Sequence, residues 1–161
     1  MPEKNAVLRQ QLIELIKGGN AHIQFHKVVE DFPVELRGKR PTGAPHSPWE
    51  EMEHMRIAQW DILEFSRDPD HVSPDWPKGY WPESPEPPSE DAWERSIHSI
   101  RADMQSMCAL IADDSADLYA RIPHGSGHTL LREALLVADH NAYHLGQLVL
   151  LRRMLGAWKE E

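Results

Sequence analysis

A chain of 161 residues, 40% hydrophobic and 27% charged, has the size and make-up expected of a single globular domain spanning residues 1–161. Its net charge of −9, from 17 basic and 26 acidic side chains, argues against a nucleic-acid binder, which presents a basic face to phosphates. No apolar run reaches the roughly 18 residues of a membrane span, and the first residues lack the apolar core of a secretory signal. With one cysteine, Cys108, no internal disulfide can form, so a cytoplasmic protein is expected.

Residues 5–17 place Val7 or Leu8, Leu12, Leu15 and Ile16 at helical spacing. Gly18-Gly19 interrupts, and residues 20–32 predict a second helical stretch that ends before Pro33. The next segment, PVELRGKRPTGAPHSP, is a loop. Ser47-Pro48-Trp49-Glu50 then forms a strong helix start: a hydroxyl to accept from a free N–H, a proline where its missing N–H costs little, and a glutamate to close a capping box. That helix is expected to run to about Ser66.

Residues 67–88 carry seven prolines, which forbid a helix, while Trp76, Tyr80 and Trp81 favour an ordered flap packed on the helices. Ser89 is the predicted cap of the next helix, whose Trp93, Ile97, Ile100, Met104, Met107 and Ile111 form a stripe. After a short piece at 114–121 and the turn His124-Gly125-Ser126-Gly127, the longest periodic segment runs from about Thr129 to Leu155, with Gly156 as its stop. No run of alternating β-branched residues appears. The expected fold is all-α, a bundle of four main helices with a long Pro/Trp-rich loop between the second and third.

Ten histidines stand out, because imidazole is the commonest metal ligand. His22 and His26, His124 and His128, and His140 and His144 are each four apart, the spacing that stacks two rings on one helix face. Glycines separate His124 from His128, and His22 and His26 follow the Gly-Gly break. His140 and His144 lie mid-helix, in register with Val137, Asn141, Leu148 and Leu151. Two such buried rings either share one cation or each find a hydrogen-bond partner, and spacing alone leaves both readings open. His54, with Ala58, Asp61 and Phe65 on its face, is either a third ligand from another helix or a satisfied core residue. His46, His71 and His98 read as solvent-facing. Asp61 reads as a solvated carboxylate, with an outer-shell acceptor role the alternative. Cys108 reads as a buried, inert thiol. His140-Asn141-Ala142-Tyr143-His144 lacks the glutamate of a zinc protease, and no nucleophile elbow or phosphate loop is present.

The segments SPWEEMEHMRIAQWDILEF and HTLLREALLVADHNAYHLGQLVLLRRMLGAW resemble the DinB-like (DinB/YfiT) superfamily of helical-bundle metalloproteins. The family pattern of one histidine in the second main helix and His-x-x-x-His followed by Gly-Gln in the last falls on His54, and on His140 and His144 with Gly146-Gln147. The resemblance implies an up-down-down-up four-helix bundle, often homodimeric, with a divalent ion held on His54, His140 and His144. It implies no contact with DNA. Zinc or nickel is the expected ion, with iron and copper also compatible with imidazole ligands. Some relatives are transferases or isomerases that use bacillithiol, mycothiol or glutathione. The expected function is therefore a metal-dependent enzyme acting on a small molecule, first of all a low-molecular-weight thiol S-transferase. The alternative is a non-catalytic metal or small-ligand binding bundle that mainly dimerises. No residue identifies the catalytic base; Asp61 and Tyr143 are the candidates.

Overall fold

A computed structural model of the chain describes residues 2–158. Its regular structure is helical: α1 (Pro2–Lys17), α2 (Phe25–Val29), α3 (Pro48–Arg67), α4 (Ala92–Ala112) and α5 (Leu130–Met154), with 3-10 turns at Val34–Leu36 and Lys78–Tyr80. Among the described residues there is no strand beyond an isolated bridge between Arg121 and Thr129. None of the described helices is long and apolar enough to cross a membrane.

Helix α3 starts as its sequence predicts. Ser47 Oγ accepts from the Glu50 N–H at 3.2 Å, and Glu50 Oε2 accepts from the Ser47 N–H at 2.8 Å. The same hydroxyl donates to the Pro85 carbonyl at 2.6 Å, which ties the helix start to the proline-rich segment. Ser47 is fully buried, so Ser47→Ala is expected to strand both partners and cost about 1–2 kcal/mol. Calorimetry should then show a melting temperature lower by about 3–6 °C; an unchanged Tm would mean that water replaces both bonds.

Helix α5 is bounded by equally local chemistry. Thr129 accepts from the Arg132 N–H at 3.2 Å. At the other end Gly156 adopts φ +70°, and the Gly156 and Ala157 N–H groups bond back to the Arg153 and Arg152 carbonyls, each at 3.0 Å. Only glycine takes that left-handed backbone without strain, which is why the helix stops there.

Two predicted elements differ from those observed. The stretch expected as a helix over 20–32 is helical only at Phe25–Val29. Residues 20–24 are exposed and no side chain caps the helix, so packing of the buried Val28 and Val29, with Phe32 behind them, holds it in place. Arg152 of α5 secures this turn by donating to the Val28 carbonyl at 2.6 Å, its guanidinium 5.1 Å over the Phe32 ring. Helix α4 begins at Ala92, not just after Ser89. Ser89 Oγ donates instead to Asp91 Oδ1 at 2.7 Å, so the expected cap is spent within the turn. On α1, Leu12 and Ile16 face inward, whereas Val7 and Leu15 are exposed.

Helix α3 packs on α4 and α5, and α1 closes the other side against the same two helices. The core divides into two apolar clusters. One gathers Leu12, Leu63, Met107, Ile111, Leu118 and Val137; the other gathers Phe32, Met52, Trp93, Ile100, Leu145 and Leu148. Along α3 the change falls between Met55 and Ile62, and along α5 between Ala138 and Leu145. Polar residues occupy the gap. Gln59, 1% exposed, donates to the Ile100 carbonyl at 2.8 Å and accepts from Asn141 Nδ2 at 2.6 Å, bridging α3, α4 and α5. A buried amide is tolerated there because both its ends are partnered.

Candidate metal centre

His54, His140 and His144 meet in this polar layer. One nitrogen from each ring lies within 4.8 Å of the other two, and His54 and His144 are buried while His140 is half-buried. Helix geometry explains half of this: four residues along α5 bring His140 and His144 onto one face, with ring centroids 4.4 Å apart. Packing of α3 against α5 supplies the rest. His54 Nε2 stands 3.1 Å from His140 Nε2, and its ring centroid lies 4.4 Å from that of His144. Two nitrogens at 2.0–2.1 Å from a tetrahedral ion would be about 3.3 Å apart. The observed separation fits a shared divalent ion.

The far sides of two rings are already engaged. His54 Nδ1 lies 2.8 Å from the Tyr80 carbonyl, and His144 Nδ1 lies 2.8 Å from Glu51 Oε2. A carbonyl and a carboxylate can only accept, so both Nδ1 atoms carry a proton, and each ring is left with Nε2 turned to the other imidazoles. His140 Nδ1 is buried without a hydrogen-bond partner. Burial, followed by the neighbouring His144 and His54, pulls His140 down to about 4. Burial also lowers His54, partly offset by the Tyr80 carbonyl. Both rings are therefore neutral near pH 7, the state a metal ligand requires.

The proline-rich segment reaches the site. Trp81 is held between two imidazoles, its ring stacked 4.0 Å from His54 at 3° and 3.9 Å from His46 at 16°. Tyr80 supplies the carbonyl to His54, while its hydroxyl donates to Asp61 Oδ2 at 2.6 Å. Trp76, expected to pack on the helices with them, is 78% exposed and touches Tyr80 edge-on.

Asp61, His71 and His46 depart from what their sequence predicts. Asp61 is not solvated: it is 8% exposed, and its second oxygen binds His71 Nε2 at 2.8 Å. His71 is not solvent-facing, since its imidazole is 6% exposed and meets Trp60 edge-on. His46 is half-buried under Trp81. All three follow from the flap folding back on α3, which burial statistics for loop residues do not anticipate. Asp61 therefore contacts none of the three candidate imidazoles; the carboxylate that does is Glu51. Glu51 was missed, and its only signal was an acidic residue one turn before His54 in a capped helix. The Tyr80 carbonyl, a backbone group, had no signal at all.

The other histidine pairs do not converge. His22 is exposed ahead of α2 while His26 lies on it. His124 Nε2 donates to the Phe65 carbonyl at 2.7 Å, and His128 Nδ1 lies 3.1 Å from Glu133 Oε1. His98 is exposed, as expected. Of the candidate bases, Asp61 has both oxygens occupied, and Tyr143 is 64% exposed with its ring edge-on to His144 at 4.9 Å. Cys108 is buried, and burial pushes its thiol pKa up, away from nucleophilic thiolate.

A family model described as the DinB superfamily matches residues 21–148, about four fifths of the chain. No curated protein and no solved structure matches it.

Proposed function

The chain belongs to the DinB superfamily, and on that premise we propose that it is a metal-dependent enzyme, a low-molecular-weight thiol S-transferase, with His54, His140 and His144 as the ligands of one divalent ion. The observation that carries this reading is the convergence of three ring nitrogens from two helices, two of them with their opposite nitrogens already held by acceptors. Three imidazoles leave at least one coordination position open, as in catalytic and unlike structural zinc sites. A structural role suits this chain poorly, because its two apolar clusters can carry the fold without a metal.

An ion in this position supplies Lewis acidity, enough to bring the pKa of a thiol or water towards 7. The chain's own residues do the rest. Glu51 and the Tyr80 carbonyl hold two ligand rings in the correct tautomer. Trp81 covers one face of His54 and keeps water off it. Zinc or nickel is the ion proposed first, with iron or copper next. The proposal includes an up-down-down-up order of the four long helices and a homodimer.

The test is reconstitution with zinc or nickel, followed by a screen of bacillithiol, mycothiol and glutathione against a panel of electrophiles. Thiol-dependent turnover that disappears in His144→Ala would support the reading. Metal-loaded protein that neither binds nor transfers any thiol would overturn it, leaving a non-catalytic metal-binding bundle.

A further inference from the structure

A chain of partly buried polar contacts runs from the flap to the candidate site. His71 and Tyr80 both grip Asp61, at 2.8 and 2.6 Å, and the backbone of Tyr80 meets His54 Nδ1 at 2.8 Å. Asp61 projects from α3 two turns beyond His54, so it is fixed to the same rigid element as the ring it influences. His71 and Tyr80 belong to the irregular segment between α3 and α4. An irregular segment has no ladder of its own to fix a carbonyl's position. Two charge-assisted or short polar bonds to one buried carboxylate do fix it.

We infer that Asp61, His71 and Tyr80 form a latch that positions His54 as a metal ligand, with the flap acting as part of the site and not merely as its cover. The inference rests on the metal reading above. Asp61 draws the Tyr80 hydroxyl down onto α3. That contact sets the Tyr80 carbonyl against His54 Nδ1, and the next residue, Trp81, is brought flat onto the same ring. The carbonyl keeps the proton on Nδ1 and the stacked indole fixes the ring plane, so Nε2 is presented toward His140 and His144. None of the three latch residues has an atom in the cluster of ligand nitrogens. They are positioning residues, acting through His54.

Tyr80→Phe tests this with little disturbance, because it removes the hydroxyl and keeps the ring and the carbonyl. Asp61→Asn is the second variant. In metal-free protein, imidazole nitrogen-15 shifts should show His54 in the Nδ1–H form, and Tyr80→Phe should convert it to a mixture of tautomers. Zinc affinity, measured against a competing chelator, should fall roughly tenfold in either variant, the effect typical of losing an outer-shell partner. In a His54→Ala background, Tyr80→Phe should cause no further loss of zinc affinity. Unchanged affinity and tautomer in the variants would overturn the latch, as would an equal loss with and without His54, which would mark Tyr80 as merely structural. A parent protein that binds no zinc, nickel or other divalent ion would instead overturn the metal reading. The tautomer measurement would then still report on whether the latch orients the ring.

Discussion

Replacing any one of His54, His140 or His144 with alanine is expected to weaken divalent-metal binding by about two to three orders of magnitude. Structural zinc sites with four ligands bind with roughly 10–16 kcal/mol, so each ligand is worth about 3 kcal/mol or slightly more. Here the three nitrogens lie within 4.8 Å of one another, and no other cluster of His, Cys, Asp or Glu among the described residues reaches that arrangement. Elemental analysis of the purified protein beside its His54→Ala and His144→Ala variants measures the effect directly. Near-stoichiometric metal in the parent, lost from both variants, is the expected result. Retention in both variants would mean that the ion sits elsewhere.

The same prediction has a pH signature. His140 lies at about 4, against an ordinary 6.5, because burial and the two neighbouring imidazoles disfavour its cation. The shift is downward, so the ring is neutral above about pH 4 and has no proton to surrender when metal binds near pH 7. Calorimetric titration in two buffers of different ionisation heat should report almost no proton release from it. The linkage to stability has the matching sign. In metal-free protein, the contribution of the neutral ring is fully present above pH 6.5 and is lost as pH falls from there toward 4.

Trp93→Ala is expected to destabilise the fold by about 3–5 kcal/mol. Trp93 is wholly inaccessible to solvent, packs its ring 5.1 Å from Phe32, and lies under the Arg37 guanidinium at 4.9 Å. It joins the start of α4 to the segment that carries α2. Urea denaturation should show the loss, with a melting temperature lower by about 10 °C. Trp93→Phe should cost much less, since it keeps most of the apolar volume and removes an indole N–H that is buried without a partner. A loss below about 1 kcal/mol for Trp93→Ala would mean that the cluster collapses to fill the gap.

These two expectations draw on different kinds of information. The weight of Trp93 was legible in the sequence, as the first member of a helical stripe whose Ile97, Ile100, Met107 and Ile111 are all buried. The pairing of His140 with His144 was legible for the same reason, since a single helix fixes what stands four residues away. The contact between His144 and Glu51 was not. It spans 93 positions, and nothing in either local pattern sets the register of α3 against α5. The flap was less legible still. Its prolines excluded a helix, and its aromatics suggested packing, but Trp76 remained outside while Tyr80 and Trp81 went in.

By itself, then, the sequence determined what depends on neighbours a few residues apart. Ser47 and Glu50 start α3, Thr129 and Gly156 bound α5, and helical period places the apolar stripes and the paired imidazoles. Backbone hydrogen bonding is local, so its signals are written locally. The tertiary structure alone decided the rest: that residues 20–24 stay outside a helix, that Asp61 is claimed by Tyr80 and His71, and that Glu51 and a backbone carbonyl face the candidate ligands. Those contacts join chain segments whose approach is set by the packing of whole helices, and a buried polar group takes whichever partner that packing brings within reach.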